Sequence, residues 1–157
     1  MSVFNQVRFD VYGDHTKGTL TRATARDALQ TTVIAGVEST YKAGTFVKAT
    51  GEAKEGRMVV EPITAVTDEA VGVIPYNFVG GDQELVLEAD KLIEVLELNT
   101  LEEILVEAGG AVVANQAVEV TADGEKVVAS DGTNKVVGRA RDVANADGDL
   151  IRISLRA

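Results

Sequence analysis

Apolar residues in this chain recur at every second position in short runs. Val7, Phe9 and Val11 alternate with Arg8, Asp10 and Tyr12, the spacing of a strand with one buried face, and Gly13-Asp14 closes that run with a turn. From Asp14 to Gln30 only Leu20 and Leu29 are large and apolar, too few to build a core. Residues 1–40 are therefore expected to form an N-terminal arm, extended at its start and suited to ordering on a partner.

After Tyr41 the pattern becomes regular. Thr45–Ala49, Arg57–Glu61, Ala70–Ile74 and Glu84–Leu87 are short and mostly rich in β-branched residues, with Gly44, Gly51, Gly56 and Pro62 as punctuation. A second series follows in Val112-Val113, Ala117–Val120, Lys126–Ala129, Val136–Gly138 and Leu150–Leu155. Strands spaced about ten residues apart predict a mainly β protein, a small β-sandwich or barrel. The two series also resemble each other. Ala43–Val47 matches Ala108–Val112 at an offset of 65, Val71-Gly72 matches Val137-Gly138 at 66, and Gly81-Asp82 matches Gly148-Asp149 at 67. This predicts two related β-motifs, 41–88 and 108–157, sharing one compact unit. In the connection 89–107, Leu92, Val95 and Leu96 have helical spacing, and Thr100-Leu101-Glu102-Glu103 has the form of a capping box. A short acidic helical connection is expected there, with a strand over Lys91–Leu98 as the open alternative.

Composition narrows the chemistry. The 157 residues are 45% hydrophobic and 25% charged, as in folded globular domains. Cysteine and tryptophan are absent and His15 is the single histidine, so disulfides, thiolate catalysis, Cys/His zinc sites and c-type haem attachment are excluded. A net charge of −10 repels nucleic acid and anionic membranes from most of the surface. The first eight residues lack the basic and apolar regions of a secretory signal, and no apolar stretch approaches the roughly 20 residues of a membrane-spanning helix. The charge is unevenly spread. Residues 1–57 hold eight basic and six acidic side chains, whereas 84–107 holds eight acidic side chains against Lys91 alone. Such a run serves either as a solvated face or as the water-facing side of a molecule whose N-terminal part meets an acidic partner.

Candidate reactive groups each have a simpler explanation. His15 beside Asp14 has no nucleophile to activate. Val143–Asp149 contains the Asn-x-Asp-Gly core of a calcium loop, but Val143 and Ser154 occupy two required ligand positions, so a turn on Asp147-Gly148 is expected. Gly80-Gly81 and Gly109-Gly110 lack the companions of a phosphate cradle. Glu102-Glu103 are adjacent, so on a helix or strand they point apart and cannot flank one glycosidic bond. No catalytic, cofactor-binding or metal-ligating residue is assigned, and the few aromatics form no stacking platform for nucleic acid.

The order of elements in 107–155, from Glu107–Val113 through Ala122-Asp123-Gly124 and Val136–Ala140 to Ala146–Ile153, resembles the C-terminal β-region of tailed-bacteriophage capsid decoration (cement) proteins. Residues 43–87, with Ala70–Val73 and Gly80-Gly81-Asp82, are similar to the repeated unit of that family. The resemblance implies a non-enzymatic virion protein, made in the host cytoplasm, that binds the outside of the head and clamps the major capsid protein against internal DNA pressure, often as a homotrimer. Nucleic acid, membrane and cofactor have no part in it. Val3, Phe4, Val7, Arg8, Phe9 and Tyr12, with Arg22 and Arg26, are then the expected capsid-facing residues. Two alternatives stay open: another phage component such as a head-fibre base or tail protein, and a small ligand-binding β-barrel with polar groups converging near His15, Tyr76 or Asp82.

Overall fold

A computed structural model describes residues 17–22, 30–75, 84–100 and 102–156. Among them there are thirteen strands and no helix. In chain order these are β1 (Leu20–Arg22), β2 (Gln30–Ala35), β3 (Ser39–Lys42), β4 (Phe46–Lys54), β5 (Arg57–Pro62), β6 (Ala70–Val73), β7 (Glu84–Leu87), β8 (Leu92–Glu97), β9 (Glu103–Ala108), β10 (Ala117–Val120), β11 (Lys126–Ala129), β12 (Gly138–Ala140) and β13 (Leu150–Ser154).

Two rings of five strands make up the fold. The first is a closed barrel in the order β2-β5-β4-β6-β8, with β8 returning to β2. In the second, pairing runs β9-β11-β10-β12-β13 and β13 returns to β9, while β1 adds to β9 from outside. The senses of pairing agree as well. β2–β5 and β9–β11 are parallel, and every other neighbouring pair in either ring is antiparallel. Ala35 pairs with Val60 as Ala108 pairs with Val127, and Val47 pairs with Gly72 as Val118 pairs with Gly138. The chain thus carries one ring motif twice.

The sequence match at Gly72 and Gly138 holds in the structure, but two of the other expected matches do not. Ala108-Gly109 corresponds to Ala35-Gly36, because Gly36 N donates to Val60 O and Gly109 N to Val127 O, both at 2.8 Å. Ala43-Gly44 lies elsewhere, in the turn before β4. Likewise Gly148 corresponds to Asp90. Each has a positive φ (95° and 68°), and each donates its N–H at 2.8 Å to the alanine that ends β9 or β2. Gly81-Asp82 lies outside the described residues. The strand closing the first ring is therefore β8, and β7 instead pairs with β3 in a separate two-stranded ribbon. This ribbon is inserted only into the first copy of the motif.

The helix expected between residues 89 and 106 is also corrected, because β8 and β9 are strands. Its apparent helical spacing arises from burial on both faces of β8. Ile93 and Val95 point into the first ring, whereas Leu96 on the opposite face is buried in the second cluster and Leu92 is exposed. Thr100 caps no helix; its hydroxyl donates to Glu97 O at 3.3 Å.

Two hydrophobic clusters follow the two rings unequally. Val33, Ala35, Val47, Val60, Ile93 and Val95 fill the first barrel and are joined by Tyr41 and Ile74. The other cluster combines second-ring residues such as Ile104, Val106, Val118, Val127, Ile151 and Ile153 with five first-ring residues, Phe46, Ile63, Ala70, Val73 and Leu96. The rings therefore share a core. Phe46 N also donates to Gly124 O across the junction at 2.9 Å, and Lys135 Nζ to Ala70 O at 3.3 Å.

Candidate functional site

The expected partner-binding residues Val3, Phe4, Val7, Arg8, Phe9, Tyr12 and Arg26 lie outside the described residues. Arg22 is in β1, where its backbone pairs with Glu103 of β9. The remaining clefts and charged faces are the places where the molecule can meet a partner.

Ring interiors offer no ligand cavity among the described residues, because side chains such as Val33, Val60, Val118 and Val127, all fully buried, fill them. One small cleft of about 200 Å³ lies where the ribbon meets both rings, lined by Tyr41, Lys42, Thr45, Phe46, Asp123 and Glu125 among others. Ligand pockets usually exceed about 300 Å³; a second cleft, of about 420 Å³ and open to solvent, is larger than that and is lined by Ile34, Lys54, Glu55, Arg57, Asp90 and Leu92. Lys42 Nζ crosses the smaller cleft to Glu125 Oε1 at 2.9 Å. The Tyr41 hydroxyl donates to Val37 O at 3.2 Å, and burial raises its pKa. His15, Tyr76 and Asp82, the groups around which a pocket was expected, lie outside the described residues.

The acidic stretch does not form one solvated face. Glu102 and Glu103 are buried. Glu103 accepts ion pairs from Arg141 (3.4 Å) and Arg152 (3.8 Å), and Glu107 from Lys126 (3.1 Å) and Lys17 (3.9 Å). Lys126 also reaches Asp147 at 2.7 Å, and these two carboxylates together push its pKa up. Among the described side chains, the exposed acidic ones lie earlier in the stretch, at Glu88, Asp90 and Glu97.

The calcium-like segment is a turn, as expected. Asp149 N donates to Ala146 O at 3.3 Å across Asp147-Gly148, and Asp149 Oδ2 accepts from the backbone of Asn145 (2.8 Å) and Ala146 (3.1 Å). Among the described residues no three His, Cys, Asp or Glu side chains converge as metal ligands.

Sequence reasoning missed the main cationic feature. Gly138 and Ala140 of β12 and Ile151 and Ile153 of β13 are buried, so alternation turns Arg139 and Arg152 to the opposite face, Arg152 only 15% exposed there, and Arg141 joins them just past the end of β12. Arg156 lies beyond them and is exposed. Arg152 grips Asp142 through Nη2–Oδ1 at 2.7 Å and Nε–Oδ2 at 3.0 Å, a bidentate pair, and Arg152 N donates to Asp142 Oδ2 at 2.9 Å. Among the described residues, the arginines at 139, 141, 152 and 156 outnumber the carboxylates they pair with, Glu103 and Asp142, on a chain of net −10. The available signal was the Arg-x-Arg spacing at 139 and 141, repeated by strand alternation near 152. Asp142, Asp147 and Asp149, interleaved with these arginines along the chain, mask it.

No protein family and no curated protein matches this sequence. Among solved structures, the fold is similar to the head fibre gp8.5 N base of bacteriophage phi29, with a TM-score of 0.49, 16% sequence identity, and coverage of 81% of this chain and 94% of that chain.

Proposed function

We propose that this chain is a structural protein of the tailed-phage head exterior, working through its surfaces and not through catalysis. The observation carrying this reading is the doubled five-stranded ring, whose two copies overlap the stretches whose order of elements resembles capsid decoration proteins, the first copy also drawing in β2 and β8 from outside its stretch. A shared core and backbone hydrogen bonds between the rings give the unit the rigidity that a surface fitting requires. Two forms of the reading differ in stoichiometry. Cement protein clamps major capsid subunits in hundreds of copies per head. A head-fibre base, the role that the phi29 protein's description gives that protein, is present in far fewer. Quantitative mass spectrometry of purified particles separates them, and absence of the chain from particles would refute both.

The N-terminal stretch supplies the proposed capsid contact, with Val3, Phe4, Val7, Phe9 and Tyr12 as apolar contacts and Arg8, Arg22 and Arg26 as charged ones. An extended segment adds affinity through main-chain hydrogen bonds, and many identical sites multiply it. Deleting residues 2–12 is expected to lower occupancy on heads; unchanged occupancy removes this segment from the account. A homotrimeric state is tested by the mass of the purified protein in solution.

A further inference from the structure

We infer that the outer face of β12, with its exposed Arg139, the adjoining Arg141 and the nearby Arg156, docks an extended, acidic segment of a partner protein. Arg139 lies in β12 and Arg141 just past its end, where Arg141 N continues the ladder by donating to Arg152 O at 2.8 Å, so the two stand two residues apart on one side, about 7 Å along it, which matches alternate carboxylates on an extended partner. Guanidinium groups pair with carboxylates through two parallel hydrogen bonds, so this spacing selects acidic side chains over single point charges. The face is also preorganised. Glu103 lies between Arg141 and Arg152, and Asp142 fixes Arg152, whereas Arg139 Nη1 is steadied by Asn115 O at 3.1 Å. Among the described residues, Arg139 and Arg156 have no carboxylate within ion-pair distance.

The chemistry next to the arginines points the same way. Past Arg141, the bridge between Val112 and Ala144 is flanked by Val113 and Val143, which are 60% and 54% exposed. An acidic stretch ending in apolar residues would cover both features. Nucleic acid fits less well. The described aromatics, Tyr41 and Phe46, are buried and unavailable for stacking, and the net charge of −10 opposes a polyanion at longer range.

This inference rests on the reading of the chain as a surface-acting protein, but its test needs no phage particle. The probe is a labelled peptide of alternating Glu and Thr ending in two Val, titrated against the full chain by fluorescence anisotropy. A Gln-for-Glu peptide and a single-stranded DNA oligonucleotide serve as comparisons. Saturable binding of the Glu peptide is expected, weakened by about 0.5 M salt, with the Gln peptide and the R139Q/R156Q variant each about tenfold weaker. These two arginines lie outside the Glu103–Arg152–Asp142 network, so an unchanged melting temperature confirms that the variant is folded. Four results overturn the inference: no binding of the Glu peptide, equal binding of the Gln peptide, unchanged affinity of the variant, or DNA binding as tight as the peptide. Loss of self-association in the same variant would reassign the face to a second copy and also overturn it. Failure here with the chain still found on heads leaves the proposed function standing.

Discussion

Replacing Gly138 by alanine tests the ring geometry at its tightest point. Gly138 pairs with Val118 on one side, and on the other its missing Cβ would fall on the Ser154 carbonyl oxygen, well inside contact, and 3.1 Å from the carbonyl carbon. The neighbour is backbone, so no side chain can swing away. To admit the methyl group, β12 and β13 must separate by about 1 Å, which stretches the ladder around Arg139–Ser154 and Ala140–Ile153. Weakening two or three hydrogen bonds and overpacking the ring together destabilise by about 2–4 kcal/mol. For a chain of this size that lowers the melting temperature by about 5–15 °C. Gly72, its counterpart in the first ring, is looser: its Cβ would stand 2.9 Å from Leu96 O and 3.1 Å from Val95. Gly72→Ala is expected to cost about 1–2 kcal/mol. A methyl on Gly110 meets nothing within 4 Å, so Gly110→Ala is the neutral control. Thermal and urea unfolding followed by circular dichroism rank the three. A Gly138→Ala protein that melts with the Gly110→Ala control refutes the geometry.

Leu96→Ala opens a cavity in the shared core and is expected to destabilise by about 2–5 kcal/mol while unfolding remains a single transition; two separated transitions in calorimetry would show that the rings are independent. Asp68 accepts from the backbone of Thr64 and from Lys48 Nζ, which lower its pKa from 3.8 to about 2. Because the folded value is depressed, its stabilisation is complete above about pH 4 and is lost as pH falls through 2; Asp68→Asn should flatten the melting temperature against pH in that window, and an unchanged slope would count against it. Arg152→Met withdraws the guanidinium from between Glu103 and Asp142, whose side chains are 11% and 26% exposed, and is expected to cost about 2–3 kcal/mol by urea titration. Lys54→Ala removes a solvent-exposed pair with Asp90, and no measurable change in melting temperature is expected.

Much of the β character was legible because β-branched runs, Asp-Gly turns and the Val-Gly pairs at 72 and 138 encode their roles locally. The register of the repeat was not. Ala35 and Ala108 are 73 apart, Val60 and Val127 67, Gly72 and Gly138 66, and Ile93 and Ile151 58. The ribbon strands β3 and β7 sit within the connections where this spacing changes, so no constant offset aligns the copies. β8 falls within the strand alternative over Lys91–Leu98, and it is ambiguous with a helix for a different reason: a strand buried by its own ring on one face and by the neighbouring ring on the other loses the polar alternation that identifies a strand. The arginine face depends on β12 and β13 becoming neighbours, a juxtaposition that spacing along the chain does not display.

The pooled hydrophobic cluster also has a mechanical meaning. Phe46, Ile63, Ala70, Val73 and Leu96 would all have to meet water before one ring could swivel against the other, so the pair behaves as a stiff bracket without a hinge. Anything fastened to one half keeps a set angle to whatever grips the other, and load passes straight through instead of being absorbed by bending.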